Sequence, residues 1–207
     1  MSIRASLFRG LCRALGIKKL FALPEDEILK VIAKQNRNRG FYMPTDHKAF
    51  YEKKVICGSL CLLVRQHQEP SRRAILFFFG GGMVIGPDKG DIPVLRKLCF
   101  GTGCDIWFPC YPLCTDHCIT ETYEMAFECY RQMVALYGGG NVSTCGFSSG
   151  GTLALGVAAH NSALGAPLPQ PRHIVAVAPG EVHCYCMLPY FPEAREDFNK
   201  IVEILKK

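Results

Sequence analysis

The sequence predicts an α/β fold with a mostly parallel sheet, and three observations support this prediction. Segments of strand character alternate with segments of helical character along most of the chain. Residues 74–79 (AILFFF) form an uninterrupted apolar run, which is typical of a strand covered on both faces. Residues 141–155 (NVSTCGFSSGGTLAL) begin as a short strand, turn sharply and continue as a helix. Such alternation predicts parallel strands joined by right-handed helical crossovers.

The individual elements are predicted from hydrophobic spacing and from the residues that end each segment. Apolar residues recur every four positions from Ile3 to Leu15, which predicts a first helix. Pro24 and the acidic residues after it are typical of a first helical turn. Gly58-Ser59 lies between two strands and predicts a hairpin. The predicted helices are 3–15, 24–35, 92–100, 120–137, 149–160 and 192–206, and the predicted strands are 53–57, 60–67, 74–79, 105–111, 142–145 and 173–178.

These elements divide the chain into two parts. Residues 1–40 are predicted to form an N-terminal helical cap segment, and residues 41–207 the α/β domain. The first helix could contact an anionic membrane or lie over the mouth of an active site. We favour the second, because the helix is short and docking on the same domain is the commoner arrangement.

Composition limits the class of protein. The chain has 207 residues, of which 49% are hydrophobic and 20% charged, so we expect one globular domain with a proper core. The formal net charge is +6, and many of the basic residues lie in the first forty positions. No nucleic-acid-binding motif accompanies them, so we interpret them as a solvated face and expect no nucleic-acid partner.

Cysteine usage and the N-terminus indicate the compartment. Several of the twelve cysteines lie inside predicted strands and helices, so we expect reduced, small hydrophobic residues in a cytoplasmic protein. The first residues include no long apolar run, so we expect no stable membrane insertion. A set of cysteines between residues 99 and 118 invites a zinc interpretation, but it has no paired Cys-x-x-Cys spacing. We therefore expect no metal.

The turn at residues 146–150 has the pattern Gly-x-Ser-x-Gly. A serine between a strand and a helix is held on a strained turn, and flanking glycines let neighbouring backbones pass close by. Ser148 is therefore the candidate nucleophile. The amide of Ser149, at the helix N-terminus, could help to bind an oxyanion. The alternative is a plain strand-to-helix turn, because the pattern alone is weak evidence.

A second glycine motif, Gly80-Gly81-Gly82, follows the apolar strand directly. One interpretation is a flexible turn. The other is a loop whose backbone N–H groups bind a ligand oxygen, which a side chain would obstruct.

Together these residues resemble the hormone-sensitive-lipase-like esterase group of the α/β-hydrolases. Phe79-Gly80-Gly81-Gly82 occupies the place of that group's His-Gly-Gly-Gly, and residues 146–151 the place of its serine elbow. The resemblance implies that Ser148 is the nucleophile and that the amides of Gly81, Gly82 and Ser149 form the oxyanion hole. Phe79 departs from the group's histidine, which mostly shapes the loop.

The C-terminal segment also resembles this group. Residues 182–185, followed by the helix 192–206, resemble the last segment of the group, which carries the catalytic histidine. The resemblance implies that His183 is the base, whereas a lone histidine by itself is more often structural. Only four residues separate Ala178 from His183, where the group has further strands, helices and the triad acid. Each strand-helix unit takes about thirty residues.

The fold class is therefore a mostly parallel sheet of the α/β-hydrolase type, incomplete at its C-terminal side, with N-terminal helices. Residues 41–207 would be a truncated α/β-hydrolase domain. Glu181 lies two residues before His183 and is no substitute for an acid on a neighbouring strand, so no triad acid is assigned.

The function implied is hydrolysis of small or medium acyl esters through a Ser148 acyl-enzyme, without a metal or organic cofactor. Loss of the triad acid would impair it. One alternative is a non-catalytic remnant whose sheet exposes an apolar edge and which is unstable or prone to associate. Another is a module that binds an ester or acyl group without hydrolysing it.

Overall fold

The computed structural model describes residues 22–39, 41, 43–177 and 192–207. The helices are α1 (Glu25–Arg39), α2 (Asp91–Thr102), α3 (Ile119–Tyr137), α4 (Ser149–Ala163) and α5 (Pro192–Lys206). The strands are β1 (Phe50–Ile56), β2 (Ser59–Arg65), β3 (Ala74–Phe78), β4 (Asp105–Pro109), β5 (Val142–Phe147) and β6 (Ile174–Val177). None of these helices is long and apolar enough to cross a membrane.

The six strands form one sheet in the order β1-β2-β4-β3-β5-β6. β3 pairs in parallel with β4 and with β5, and β5 pairs in parallel with β6. The antiparallel pairs are β1 with β2 and β2 with β4. The predicted hairpin turns at Cys57 and Gly58, which both have positive φ angles. The prediction of an α/β fold with a mostly parallel sheet is confirmed.

The three central strands carry the core. Every residue of β3, β4 and β5 is buried, including the large side chains of Phe77, Trp107 and Phe147. α2 contacts α5, and α3 contacts α4. Because both rows of side chains on the central strands are buried, these two helix pairs cover opposite faces of the sheet.

Several element boundaries differ from the predicted ones by a few residues. α1 continues to Arg39, although the polar residues from position 36 onward predicted an end near residue 35. Contacts between Asn36 and a neighbouring loop support the helix there, so tertiary structure overrides the weak local preference. β4 ends at Pro109, two residues before its predicted end, and the chain then leaves the sheet toward Tyr111.

In the described part of the chain, the sheet ends at β6 on its C-terminal side. Ile174 is 40% exposed, and the residues of this strand alternate between exposed and half-buried. This edge agrees with the predicted incomplete sheet. The predicted first helix (residues 3–15) and the segment that carries Glu181 and His183 lie outside the described residues.

Candidate active site

Ser148 lies between the last residue of β5 and the first residue of α4. Its backbone has φ 54° and ψ −124°, a strained conformation for a residue with a side chain. The Ser148 N–H donates to the Val177 carbonyl at 3.1 Å, and the Gly151 N–H donates to the Ser148 carbonyl at 2.8 Å. The predicted order of strand, sharp turn and helix is therefore present, with Ser148 at the turn.

The glycines on either side of Ser148 allow close backbone contacts. A Cβ atom on Gly146 would lie 2.0 Å from the Gly150 carbonyl oxygen. A Cβ atom on Gly150 would lie 2.3 Å from the Phe78 carbonyl oxygen. Real Cβ atoms do not approach other atoms this closely, so the turn and its contact with β3 require glycine at both positions.

The second glycine motif lies directly against this turn. A Cβ atom on Gly80 would lie 3.0 Å from the Phe147 carbonyl oxygen and 3.2 Å from the Ser148 Cβ atom. Gly81 has φ 116° and Gly82 has φ 66°, so both adopt backbone conformations that favour glycine. Gly82 and Ser148 are 66 residues apart in the sequence. The parallel pairing of β3 with β5 brings the two motifs into contact.

The backbone of this loop leaves two adjacent donors available. The N–H groups of Val84 and Ile85 donate to the Gly81 carbonyl at 3.1 and 2.9 Å, which closes a turn over residues 81–85. Among the described residues, no hydrogen-bond acceptor pairs with the N–H groups of Gly81 and Gly82. Backbone donors of this kind, next to a nucleophile, can bind a developing oxyanion.

The Ser149 side chain joins the loop to the turn, a contact that sequence reasoning missed. The Met83 N–H donates to Ser149 Oγ at 3.2 Å. Tyr111 reaches the same region from the segment after β4, and its hydroxyl donates to the Phe79 carbonyl at 2.9 Å. Burial raises the pKa of Tyr111 well above its usual value, so the phenol stays protonated and remains a donor.

Asn36 is a second residue near the loop that sequence reasoning missed. Its Nδ2 donates to the Val84 carbonyl at 2.8 Å, and its Oδ1 accepts from the Gly86 N–H at 3.1 Å. No motif marks this residue, which belongs to a polar stretch that predicted the end of a helix. Only the packing of α1 against the loop reveals it.

The remaining predicted residues are not all placed. Gly81, Gly82, Ser148 and Ser149 lie together at the carboxyl ends of β3 and β5. His183, the predicted base, lies outside the described residues.

No disulfide bond joins the cysteines in the described part of the chain, and their thiols differ in environment. Burial raises the pKa of Cys99 and of Cys110 to about 12. Cys118 is exposed, and hydrogen bonds from Thr120 lower its pKa. Among the residues that the structure describes, no three His, Cys, Asp or Glu side chains come together in a way that could hold a metal ion.

Comparison with known proteins gives one family. The model of the alpha/beta hydrolase fold family matches residues 75–198, which is more than half of the chain. The match begins in β3 and includes the glycine loop, Ser148 and part of α5. None of the curated protein sequences matches this chain.

Solved esterase structures share the fold. A Staphylococcus aureus protein assigned as an esterase has a TM-score of 0.62 and 25% identity, with 70% of this chain and 49% of that protein covered. This chain therefore spans about half the length of that protein. An esterase of the bacterial hormone-sensitive lipase family has a TM-score of 0.69 and 16% identity, with 95% and 97% covered.

A hyperthermophilic esterase from the archaeon Pyrobaculum calidifontis has a TM-score of 0.64 and 16% identity, with 87% and 88% covered. Identities this low show a shared fold and nothing finer. The family match, the sheet order and the strand-turn-helix at Ser148 are mutually consistent. This chain therefore belongs to the alpha/beta hydrolase fold family.

Proposed function

We propose that this chain is a serine carboxylesterase-type hydrolase of small or medium acyl esters, with activity weakened by the loss of the triad acid. One observation carries the proposal. Ser148 occupies a strained turn in contact with a glycine loop, where two neighbouring N–H groups have no acceptor among the described residues. That combination suits attack on a carbonyl carbon and stabilisation of the resulting oxyanion.

The reaction would proceed through an acyl-enzyme. Ser148 Oγ attacks the ester carbonyl carbon while His183 accepts the hydroxyl proton. The N–H groups of Gly81, Gly82 and Ser149 donate hydrogen bonds to the oxyanion. The tetrahedral intermediate then expels the alcohol, which takes the proton from His183. Water, deprotonated by the same histidine, releases the carboxylic acid and regenerates Ser148. Each step uses side chains and backbone of the protein, so the proposal requires no cofactor.

The missing acid limits the rate that we expect. In a serine protease, replacing the acid that orients the histidine lowers turnover about ten-thousand-fold, because the imidazole is held in the wrong tautomer. The positions of the oxyanion donors and of Ser148 do not depend on that acid. We therefore expect slow ester hydrolysis and slow acylation.

In this proposal, residues 1–40 form a cap over the active site. The described helix α1 contacts the segment that follows the glycine loop, through both side-chain groups of Asn36. This contact supports a cap position for the N-terminal segment. A cap would shield the ester from water and contribute to the acyl-binding surface.

A fluorophosphonate probe tests the proposal directly, because it reacts covalently with an activated serine. We expect labelling of the purified wild type that is lost in Ser148→Ala and strongly slowed in His183→Ala. Ser162→Ala is the matched control, since Ser162 is an exposed serine on α4 whose hydroxyl donates to the Ala158 carbonyl.

Absence of labelling in a folded wild type would contradict the enzyme proposal. The alternative of a binding module then has its own test. Saturation-transfer NMR with p-nitrophenyl butyrate would show an ester that is bound and left intact, whereas a remnant would bind none.

A further inference from the structure

Asn36 connects two parts of the chain that are far apart in sequence. It lies near the end of α1, and its side-chain amide donates to the Val84 carbonyl at 2.8 Å. The same amide accepts a hydrogen bond from the Gly86 N–H at 3.1 Å. The bonded residues are separated from Asn36 by 48 and 50 positions. One side chain thus satisfies a donor and an acceptor on either side of Ile85.

The segment that Asn36 holds is the end of the turn that carries the Gly81 and Gly82 N–H groups. The Val84 and Ile85 N–H groups donate to the Gly81 carbonyl, so a displacement of residues 84–86 would move Gly81 as well. Gly81, Gly82 and Met83 all have positive φ angles, and Met83 has a side chain at φ 63°. A turn with this backbone strain persists only where its surroundings hold it in place.

Three elements supply that support. Ser149 Oγ, at the start of α4, accepts from the Met83 N–H at 3.2 Å. The Cys114 N–H, in the segment before α3, donates to the Met83 carbonyl at 2.8 Å. Both of these contacts hold Met83, and Asn36 holds Val84 and Gly86, the residues on either side of Ile85. Among the described side chains, Asn36 is the one with hydrogen bonds to Val84 and Gly86.

We propose that Asn36 is a positioning residue for the oxyanion loop. By fixing Val84 and Gly86, it keeps the turn of residues 81–85 in the conformation that presents the Gly81 and Gly82 amides. Its effect on catalysis rests on the proposed function, whereas its effect on the loop does not. The amide group suits this role because it donates and accepts at once, which neither a carboxylate nor an aliphatic side chain can do.

The test compares Asn36→Ala and Asn36→Asp with Lys34→Ala. Lys34 is an exposed residue on the same helix, so its variant reports any general effect of altering α1. Asn36→Ala removes both hydrogen bonds. Asn36→Asp retains the acceptor for the Gly86 N–H but replaces the donor with an oxygen that faces the Val84 carbonyl. The aspartate variant therefore distinguishes the effect of losing the bond to the Val84 carbonyl from the effect of losing the bond to the Gly86 N–H.

The first measurement is amide hydrogen exchange by NMR, which requires no chemistry at Ser148. In Asn36→Ala we expect exchange at Ile85 and Gly86 to accelerate about tenfold, because two hydrogen bonds of ordinary net strength are lost. In Asn36→Asp the Gly86 amide stays protected, while Ile85 exchanges faster. Lys34→Ala should match the wild type at both amides. Unchanged exchange at Gly86 in Asn36→Ala would overturn the proposal.

The second measurement is the kinetics of an ester and of the fluorophosphonate probe. In Asn36→Ala we expect kcat and the labelling rate constant to fall about tenfold, with KM nearly unchanged, because the oxyanion forms only in the transition state. A side chain that merely docks α1 would alter KM or α1 exchange and leave kcat intact, and that result would overturn the catalytic part. If the wild type itself is not labelled, the proposed function fails, and hydrogen exchange still decides whether Asn36 positions the loop.

Discussion

Tyr111 stacks on Phe79 with ring centroids 4.1 Å apart and an interplanar angle of 3°. The Tyr111 hydroxyl also donates to the Phe79 carbonyl at 2.9 Å, so the same pair is joined by a ring contact and by a hydrogen bond. Phe79 occupies the position where the resembled esterase group has a histidine at the start of its glycine loop. Its ring is almost fully buried, at 2% exposed. In this chain, aromatic packing and a hydrogen bond from the Tyr111 side chain therefore hold the start of the loop.

Replacing Tyr111 with phenylalanine tests this arrangement. The ring contact is retained, but the buried Phe79 carbonyl loses its donor, and we expect the free energy of unfolding to fall by roughly 1–3 kcal/mol. We also expect slower fluorophosphonate labelling, because the glycine loop begins at this carbonyl. Urea denaturation and labelling kinetics measure the two effects.

Tyr130→Phe provides the matched control. Tyr130 is a buried tyrosine whose hydroxyl donates to the Pro169 carbonyl, away from the glycine loop. Its loss should lower stability by a similar amount and leave the labelling rate unchanged. Equal slowing in both variants would show that labelling follows global stability and not the Tyr111 hydrogen bond.

The elbow glycines should tolerate no side chain. In Gly150→Ala the new Cβ atom would lie 2.3 Å from the Phe78 carbonyl oxygen and 2.4 Å from the Phe79 carbonyl oxygen. Overpacking of this kind costs roughly 1–3 kcal/mol, and more where only backbone can move. The control is Gly165→Ala, whose Cβ atom would meet no atom within 4 Å, and which should change stability by less than about 0.5 kcal/mol. Chemical denaturation of both variants checks the prediction, and similar midpoints would refute it.

Cysteine alkylation should discriminate sharply among the thiols. Hydrogen bonds from Thr120 lower the pKa of the exposed Cys118, whereas burial raises the pKa of Cys99 and Cys110 to about 12. Because the thiolate is the nucleophile, iodoacetamide at pH 7 should modify Cys118 before the other cysteines of the described residues. Mass spectrometry over a time course identifies the order.

Cys118→Ser should remove the fastest alkylation event among the cysteines that the structure describes. The matched variant is Cys114→Ser, which alters another exposed cysteine four residues earlier and should leave that event in place. Early modification of Cys99 in the folded protein would contradict the prediction.

His173 should make stability sensitive to mild acid. Burial, followed by the nearby charges of Arg172, Arg73 and Lys207, lowers the pKa of His173 from its usual value of 6.5. Between its folded pKa and 6.5 the unfolded chain therefore binds more protons than the folded chain. This contribution to stability is therefore present above pH 6.5 and is lost as the pH falls below it.

Urea midpoints at pH 7.5 and 5.5 measure the effect. We expect the wild type to lose stability at pH 5.5, and His173→Gln to lose less. His47→Gln is the control, because His47 is exposed, and it should behave like the wild type. A His173→Gln midpoint that falls as far as that of the wild type would assign the acid sensitivity to other groups.

The sequence alone determined the local features of this fold. The apolar run at residues 74–79 predicted a strand buried on both faces, and every residue of β3, which ends at Phe78, is buried. The pattern around Ser148 predicted a strand, a turn and a helix, and these elements are present. Such features depend on residues within one element, whose periodicity and glycine content are visible in the sequence. The family, too, was indicated by two short motifs and is shown by the match over residues 75–198.

The tertiary structure decided what depends on residues far apart. No local pattern indicated that Asn36 would hold Val84 and Gly86, or that Tyr111 would stack on Phe79. The continuation of α1 to Arg39 against its polar composition has the same origin. No sequence pattern predicts the hydrogen-bond partner of a side-chain amide. Its hydrogen bonds form only after the sheet and helices have brought both segments together. Tertiary packing therefore determines the positions of the loop donors around Ser148, whereas the local sequence determines the strands, turn and helix that carry them.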